Sequence, residues 1–251
     1  MNQSIASIVA WAGVLLFAGT SVRAESAREV LDKAIVAHGG SDAIKKFAAG
    51  KITSKGKINI MGLEVALEGE TVYQLPDLGK NTLKLDVGGM KISVVQVFNA
   101  GKVRVTANDA AAPISDAQKD EVKEAFYLQS VQNLVPLLDD KTYDLSMIDN
   151  ADKVNDKEVI GVLVKAKGHK NVNLFFDKKS HILIKMERQG LNEAEKEVKQ
   201  EMFFLEHKKF DGILRAVKSE LHMDGKTFME AQVTDYKHLD KVDKKEFDIS
   251  D

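Results

Sequence analysis

The chain of 251 residues has no cysteine and only 3 prolines. Without cysteine there is no thiol nucleophile, no disulfide framework, no cysteine-based zinc site and no lipid-modified N-terminal cysteine. Charge of one sign is missing as well. The net charge is −2, which argues against a nucleic-acid partner, since such proteins are usually basic. No Gly-x-Ser-x-Gly elbow, phosphate-binding glycine loop or His-Glu-x-x-His pair occurs, so acyl transfer, nucleotide chemistry and helical zinc-hydrolase chemistry lack their usual residues. Long apolar runs are scarce, and the one present lies at the start.

That run, Ile5 to Thr20, reads "IASIVAWAGVLLFAGT" and is followed by Val22 and Ala24, placed like the small residues of a cleavage site. It is shorter than the ~20 residues that span a bilayer. Residues 1–24 are therefore expected to be a secretory signal peptide, although Met1 to Ser4 carries no Lys or Arg. Residues 25–251 then form a single exported domain, periplasmic or otherwise outside the cytoplasm, with no membrane span. With 3 prolines and no Ser-rich linker, nothing divides it.

The mature part opens with helical spacing. Val30, Leu31, Ala34, Ile35 and His38 recur at intervals of three and four. Gly39 and Gly40 stop this helix, and Ser41 is placed to cap a second, short one over "DAIKKFAA". His-Gly-Gly also occurs in oxyanion holes, but the nucleophile that chemistry needs is absent. From Ile52 the period becomes two. "ITSKGKINI", "LEVALEGETVYQL", "NTLKLDVGG" and "MKISVVQVFNAGKVRVTA" read as half-buried antiparallel strands. A helix from Ser115 or Asp116 interrupts them and is broken near Pro136. Seven further strands follow, joined by turns such as Asp177 to Ser180, Asp211-Gly212 and Asp224-Gly225.

About twelve strands with three helical segments give a mainly β, α+β fold. Its expected form is a large curved antiparallel sheet in an open half-barrel covered by helices, with an apolar hollow between them. Phe and Met concentrate in the second half, where Phe203 and Phe204 point to opposite faces of one strand. The six histidines form no helical metal motif, and His207 with His222 on adjacent strands is the nearest approach to one. The carboxylates alternate with lysines, as on a solvated face.

The order of signal segment, helix, Gly-Gly stop, meander, embedded helix and second meander resembles the periplasmic lipoprotein-carrier superfamily, LolA/LolB-like. "FFDKKSHILIKME" at Phe175 to Glu187 and "EFDIS" at Glu246 to Ser250 carry the likeness best. The resemblance implies a half-barrel lidded by helices, whose cavity takes acyl chains of lipids or lipoproteins. Arg104, Arg188 and Arg215 all fall on strands, and the sequence does not select among them.

The expected function is thus a non-enzymatic envelope carrier or sensor, without cofactor or metal, that binds a lipid or lipoprotein acyl chain. The alternative is a structural or regulatory envelope domain of the same fold that acts through protein partners. Strand alternation assigns the cavity wall to Val65, Leu67, Leu83, Leu85, Ile92 and Val94 in the first half. In the second half it assigns Leu174, Phe176, Ile184, Met186, Met202 and Phe204.

Overall fold

A computed structural model describes residues 25–249. The expected signal peptide lies outside the described residues. The first helix, α1 (Ala27–Ala37), is set by its ends and by one face. Ser26 accepts from the Glu29 amide while the Glu29 carboxylate accepts from the Ser26 amide, a reciprocal capping box. Val30, Leu31, Ala34 and Ile35 are buried along one side. The second helix, α2 (Ser41–Lys46), has Gly40 at its N-cap position. Ser41 is therefore the first helical residue and not the cap.

Five strands and a short sixth follow: β1 (Ala49–Ile60), β2 (Leu63–Gln74), β3 (Leu78–Val87), β4 (Met90–Asn99), β5 (Lys102–Ala107) and β6 (Ala110–Ala111). The third helix, α3 (Asp116–Gln132), starts at a second capping box, Ser115 with Gln118, and gives way to a 3-10 turn at Val135–Leu138 containing Pro136. The chain then returns to strands: β7 (Tyr143–Ile148), β8 (Val159–Ala166), β9 (Val172–Asp177), β10 (Leu183–Leu191), β11 (Glu197–Phe210), β12 (Ile213–Met223) and β13 (Lys226–Leu239).

All thirteen strands belong to one antiparallel sheet in the order β6-β5-β4-β3-β2-β1-β13-β12-β11-β10-β9-β8-β7. Among the described residues the only non-sequential neighbours are β1 and β13, so two meanders are zipped together along their first and last strands. The sheet stays open, with β6 and β7 as its edges. The fold is the expected open half-barrel, mainly β, with the helices on its inner face. The two-residue β6 is the strand that periodicity could not supply.

The main core lies between the helices and the second meander. Leu31, Ile35, Ile44, Val131 and Leu137 meet Val162, Val164, Leu174, Phe176 and Ile213, all buried. On the outer face a smaller cluster of Val72, Val97, Val242 and Phe247 is closed by the C-terminal turn Lys244–Phe247. A third cluster, Val154, Phe175 and Ile184, with Phe203 against it, sits under the segment between β7 and β8. Phe203 and Phe204 thus face opposite sides, each covered by apolar side chains.

Candidate functional site: a hollow between helix α3 and the sheet

Helix α3 lies across the inner face and is tied to both meanders. Phe126 stacks on Phe98 of β4 with ring centroids 5.4 Å apart. A Cβ at Gly79 of β3 would fall 2.2 Å from the Phe126 ring, so only glycine lets this ring reach the sheet. Toward the second meander, Tyr127 stacks at 3.8 Å on His169, whose Nδ1 is 2.9 Å from the buried Glu124 carboxylate. Glu121 accepts from Arg188 of β10 at 2.7 Å and from Lys170 at 3.2 Å. Burial works against ionisation of Glu121, but the bonds from Arg188 and Lys170 outweigh it and hold its carboxyl below the usual range.

Two adjoining chambers lie beneath this helix. The larger, of 410 Å³, is walled chiefly by Met186, Met202, Leu221 and Met229 from the sheet and Ala125 and Leu128 from α3. Glu187, Arg188 and Gln200 also line it. The smaller, of 170 Å³, lies toward His38 and Tyr73. Ile52, Gln129, Gln132, Phe204 and Ser219 border both.

Strand register explains why the larger chamber is apolar. Residues directly opposite one another across a sheet share a face. Following the pairing from β7 to β2 gives Met147, Val162, Leu174, Met186, Met202, Leu221, Met229, Ile58 and Val65 as one unbroken row. Every member is apolar across nine strands. Four are methionines, whose flexible thioethers adapt to an irregular apolar partner. The wall contributed by this row to the larger chamber is therefore apolar, with Glu187, Arg188 and Gln200 at its margin.

The twelve residues assigned by alternation divide into four groups. Met186, Met202 and Phe204 line the hollow. Leu174 and Phe176 are on the same face but lie fully buried in the solid core. Val65, Leu67, Leu83, Leu85, Ile92 and Val94 do come together on the inner face. Leu67, Leu85 and Ile92 are directly opposed, as are Leu83 and Val94, while Thr71 and Asn81 of the same strand faces reach the hollow. This patch lies on β2–β4, outside the wall of the chambers.

Ile184 differs. The pairing of β9 with β10 shifts register between Leu183 and Lys185, so Leu183 and Met186 share the inner face and Ile184 turns to the outer cluster. The expectation that Ile184 accompanies Met186 fails at this bulge, which no spacing in the sequence announces. Alternation also passed over Ile52, Leu221 and Met229. All three are in strands read from the sequence, and extending the same alternation to β1, β12 and β13 finds them.

His38 is more than a helix terminus. It ends α1, as its glycines imply, yet its ring is buried and lines the smaller chamber. Burial lowers its pKa to about 4, and the nearby His207 and Arg215 add to this. Its Nδ1 is 2.8 Å from the Ala34 carbonyl and donates to it. His207 and His222 do not converge: one bonds the Leu183 carbonyl and the other Glu220. Among the described residues no group of three or more His, Asp or Glu side chains is placed to hold a metal ion. Nor is any helix among them long and apolar enough to cross a membrane.

The architecture has solved counterparts. A LolA superfamily protein from Nitrosomonas europaea superposes with a TM-score of 0.58 at 11% identity, over 90% of this chain and 98% of the other. The fold is LolA-like. A DUF1329 family protein from Desulfovibrio piger gives a TM-score of 0.52 at 12% identity, again over 90% and 98% of the two chains. Neither a protein-family model nor a curated protein matches the sequence. The LolA-like likeness is thus one of fold, and at this identity it carries no correspondence of side chains.

Proposed function

We propose that this protein is an exported carrier or sensor that shelters an acyl chain of a lipid or lipoprotein between helix α3 and the sheet. The observation that carries this reading is the apolar row across nine strands, opening into the methionine-walled hollow of 410 Å³. A cavity of about 150 Å³ admits a benzene ring, so this one has room for an apolar chain on the order of a dozen carbons. Each methylene taken from water adds about 0.8 kcal/mol, so a chain of this size binds usefully without any catalytic group. The LolA-like fold supports the reading, because the family that the sequence resembles uses such a half-barrel for acyl chains. Export is proposed from the N-terminal segment, and the role proposed is binding and not catalysis.

The test is direct. The protein, purified from its native compartment, is extracted and its lipids are identified by mass spectrometry, and the delipidated protein is titrated with a fluorescent fatty acid. Saturable binding that Met202→Asp abolishes while the fold is retained is the expected result. If the folded wild type carries no lipid and binds no acyl probe, the carrier reading fails. The alternative of an envelope domain acting through protein partners then takes its place.

A further inference from the structure

The smaller chamber is built differently from the larger one. Arg215 of β12 projects into its wall, and its Nε and Nη2 atoms are sealed from solvent with no hydrogen-bond partner. Its guanidinium lies 5.6 Å from the centre of the Tyr236 ring, a cation–π contact that gives Nε and Nη2 no hydrogen-bond acceptor. Among the described residues no Asp or Glu lines this chamber. The polar neighbours are uncharged: Tyr73 and Tyr236, whose hydroxyls are 2.6 Å apart, with Gln129 and Gln132 of α3 and Asn133 at its C-terminus. His38 is neutral at pH 7, since burial holds its pKa at about 4. Arginine cannot relieve its own burial by losing a proton. Elsewhere the buried arginine of this protein, Arg188, has its carboxylate, Glu121. Arg215 differs: the residue is half-buried, its Nε and Nη2 are sealed, and no carboxylate among the described residues pairs with it where the smaller chamber meets the apolar hollow.

We propose that the Arg215 chamber is an anion site that takes the oxyanion head group of the bound amphiphile, a carboxylate or a phosphate, while its chain lies along Phe204 into the methionine-walled hollow. This rests on the acyl-chain reading above and adds to it the chemistry of the head. The guanidinium fork presents N–H donors to such an oxyanion, and the tyrosine hydroxyls and the side-chain amides of Gln129, Gln132 and Asn133 complete a shell of neutral donors. The two chambers share Phe204 and Ser219, so head and chain are continuous. The ligand class is therefore a single-chain anionic amphiphile, in preference to an uncharged glyceride.

Dodecanoate, dodecyl phosphate and dodecanol, all of twelve carbons though dodecanoate has one methylene fewer in its tail, are each used to displace a fluorescent acyl probe from the wild type, Arg215→Met and Arg215→Lys. The wild type is expected to prefer one or both anions over dodecanol by tenfold or more. Arg215→Met erases that preference and leaves dodecanol within about twofold, while Arg215→Lys retains part of it. Preference for dodecyl phosphate points to a phospholipid source, and preference for dodecanoate to a free fatty acid. Equal binding of all three by the wild type overturns the anion site and leaves the carrier reading intact, and so does a preference that survives in Arg215→Met. Failure of all three to bind removes the carrier reading itself. The wild-type comparison alone decides the matter if the methionine variant does not fold.

Discussion

Gly39 follows His38 at the end of α1 with φ +121°, and a Cβ there would lie 2.8 Å from the Gly212 carbonyl oxygen and 3.0 Å from Ile213 Cα. The approach is fixed by the Leu214 amide, which donates to the His38 carbonyl at 2.9 Å and so locks α1 to β12. Gly39→Val meets both the strained backbone and the clash. It is expected to cost at least about 3 kcal/mol and to lower Tm by roughly 10 °C, as read by thermal denaturation. His38 contributes a pH dependence of definite sign. The unfolded chain binds a proton at this ring near pH 6.5 and the folded chain only near 4. Between these values the unfolded state holds more protons, so stability is full above pH 6.5 and falls as pH drops toward 4. The loss is about 3 kcal/mol if His38 acts alone. His207 and His238, also lowered by burial, act in the same direction. Tm measured from pH 7 to 4.5 should decline, and His38→Gln should flatten the decline; an unchanged slope in a folded His38→Gln protein excludes His38 as its source.

Helix α3 is held by side chains distant in sequence, and a strand-by-strand reading could not pair them. Glu121 and Arg188 are 67 positions apart, and Glu124 and His169 are 45 apart. The helix itself was legible, with Ser115 or Asp116 as its cap and a break near Pro136, because caps and breakers act locally; the cap is Ser115 and the helix ends at Gln132. Strand existence was legible for the same reason, since alternation is a local pattern. What failed was continuity of face through the bulge at Leu183–Lys185, which misplaced Ile184, and the cap of α2, where Gly40 took the place expected of Ser41. The tie at Glu121 leads to a prediction about the element as a whole. Removing one partner of a pair leaves the other charge buried, and Arg188 is only 8% exposed. Glu121→Ala should therefore loosen α3 and destabilise the protein by about 2–4 kcal/mol. In hydrogen exchange, the amides of α3 should exchange faster by tenfold or more while those of β8 and β9 stay protected. Because the Glu121 carboxyl is held below its usual value of 4.5, its contribution is present above that pH and lost as pH falls below it.

Over the whole molecule, the two meanders differ in what lies above their inner faces. The second meander is filled by α1, α2 and the turn after α3, which leaves its end of the apolar row, from Met147 to Leu174, packed in the core. The first meander carries no such filling, and its patch of Leu67, Leu83, Leu85, Ile92 and Val94 continues the inner face beyond the hollow. On the proposed binding mode, a chain anchored at the Arg215 end fills the methionine-walled chamber first and reaches β2–β4 only if it is longer. This gives affinity a dependence on chain length with two regimes. While added methylenes enter the chamber, each should tighten binding by roughly fourfold, the equivalent of about 0.8 kcal/mol. Once the chamber is full, the gain per methylene should fall, because the Leu85 patch is partly solvated even when covered. Leu85→Asp tests the second regime alone. It should leave short chains of eight to ten carbons unaffected and weaken those of sixteen or more, whereas Met202→Asp should abolish binding at every length. Titration of the fatty-acid series against these two variants distinguishes one hollow with an extension from a groove that uses the entire inner face, for which Leu85→Asp would weaken short and long chains alike.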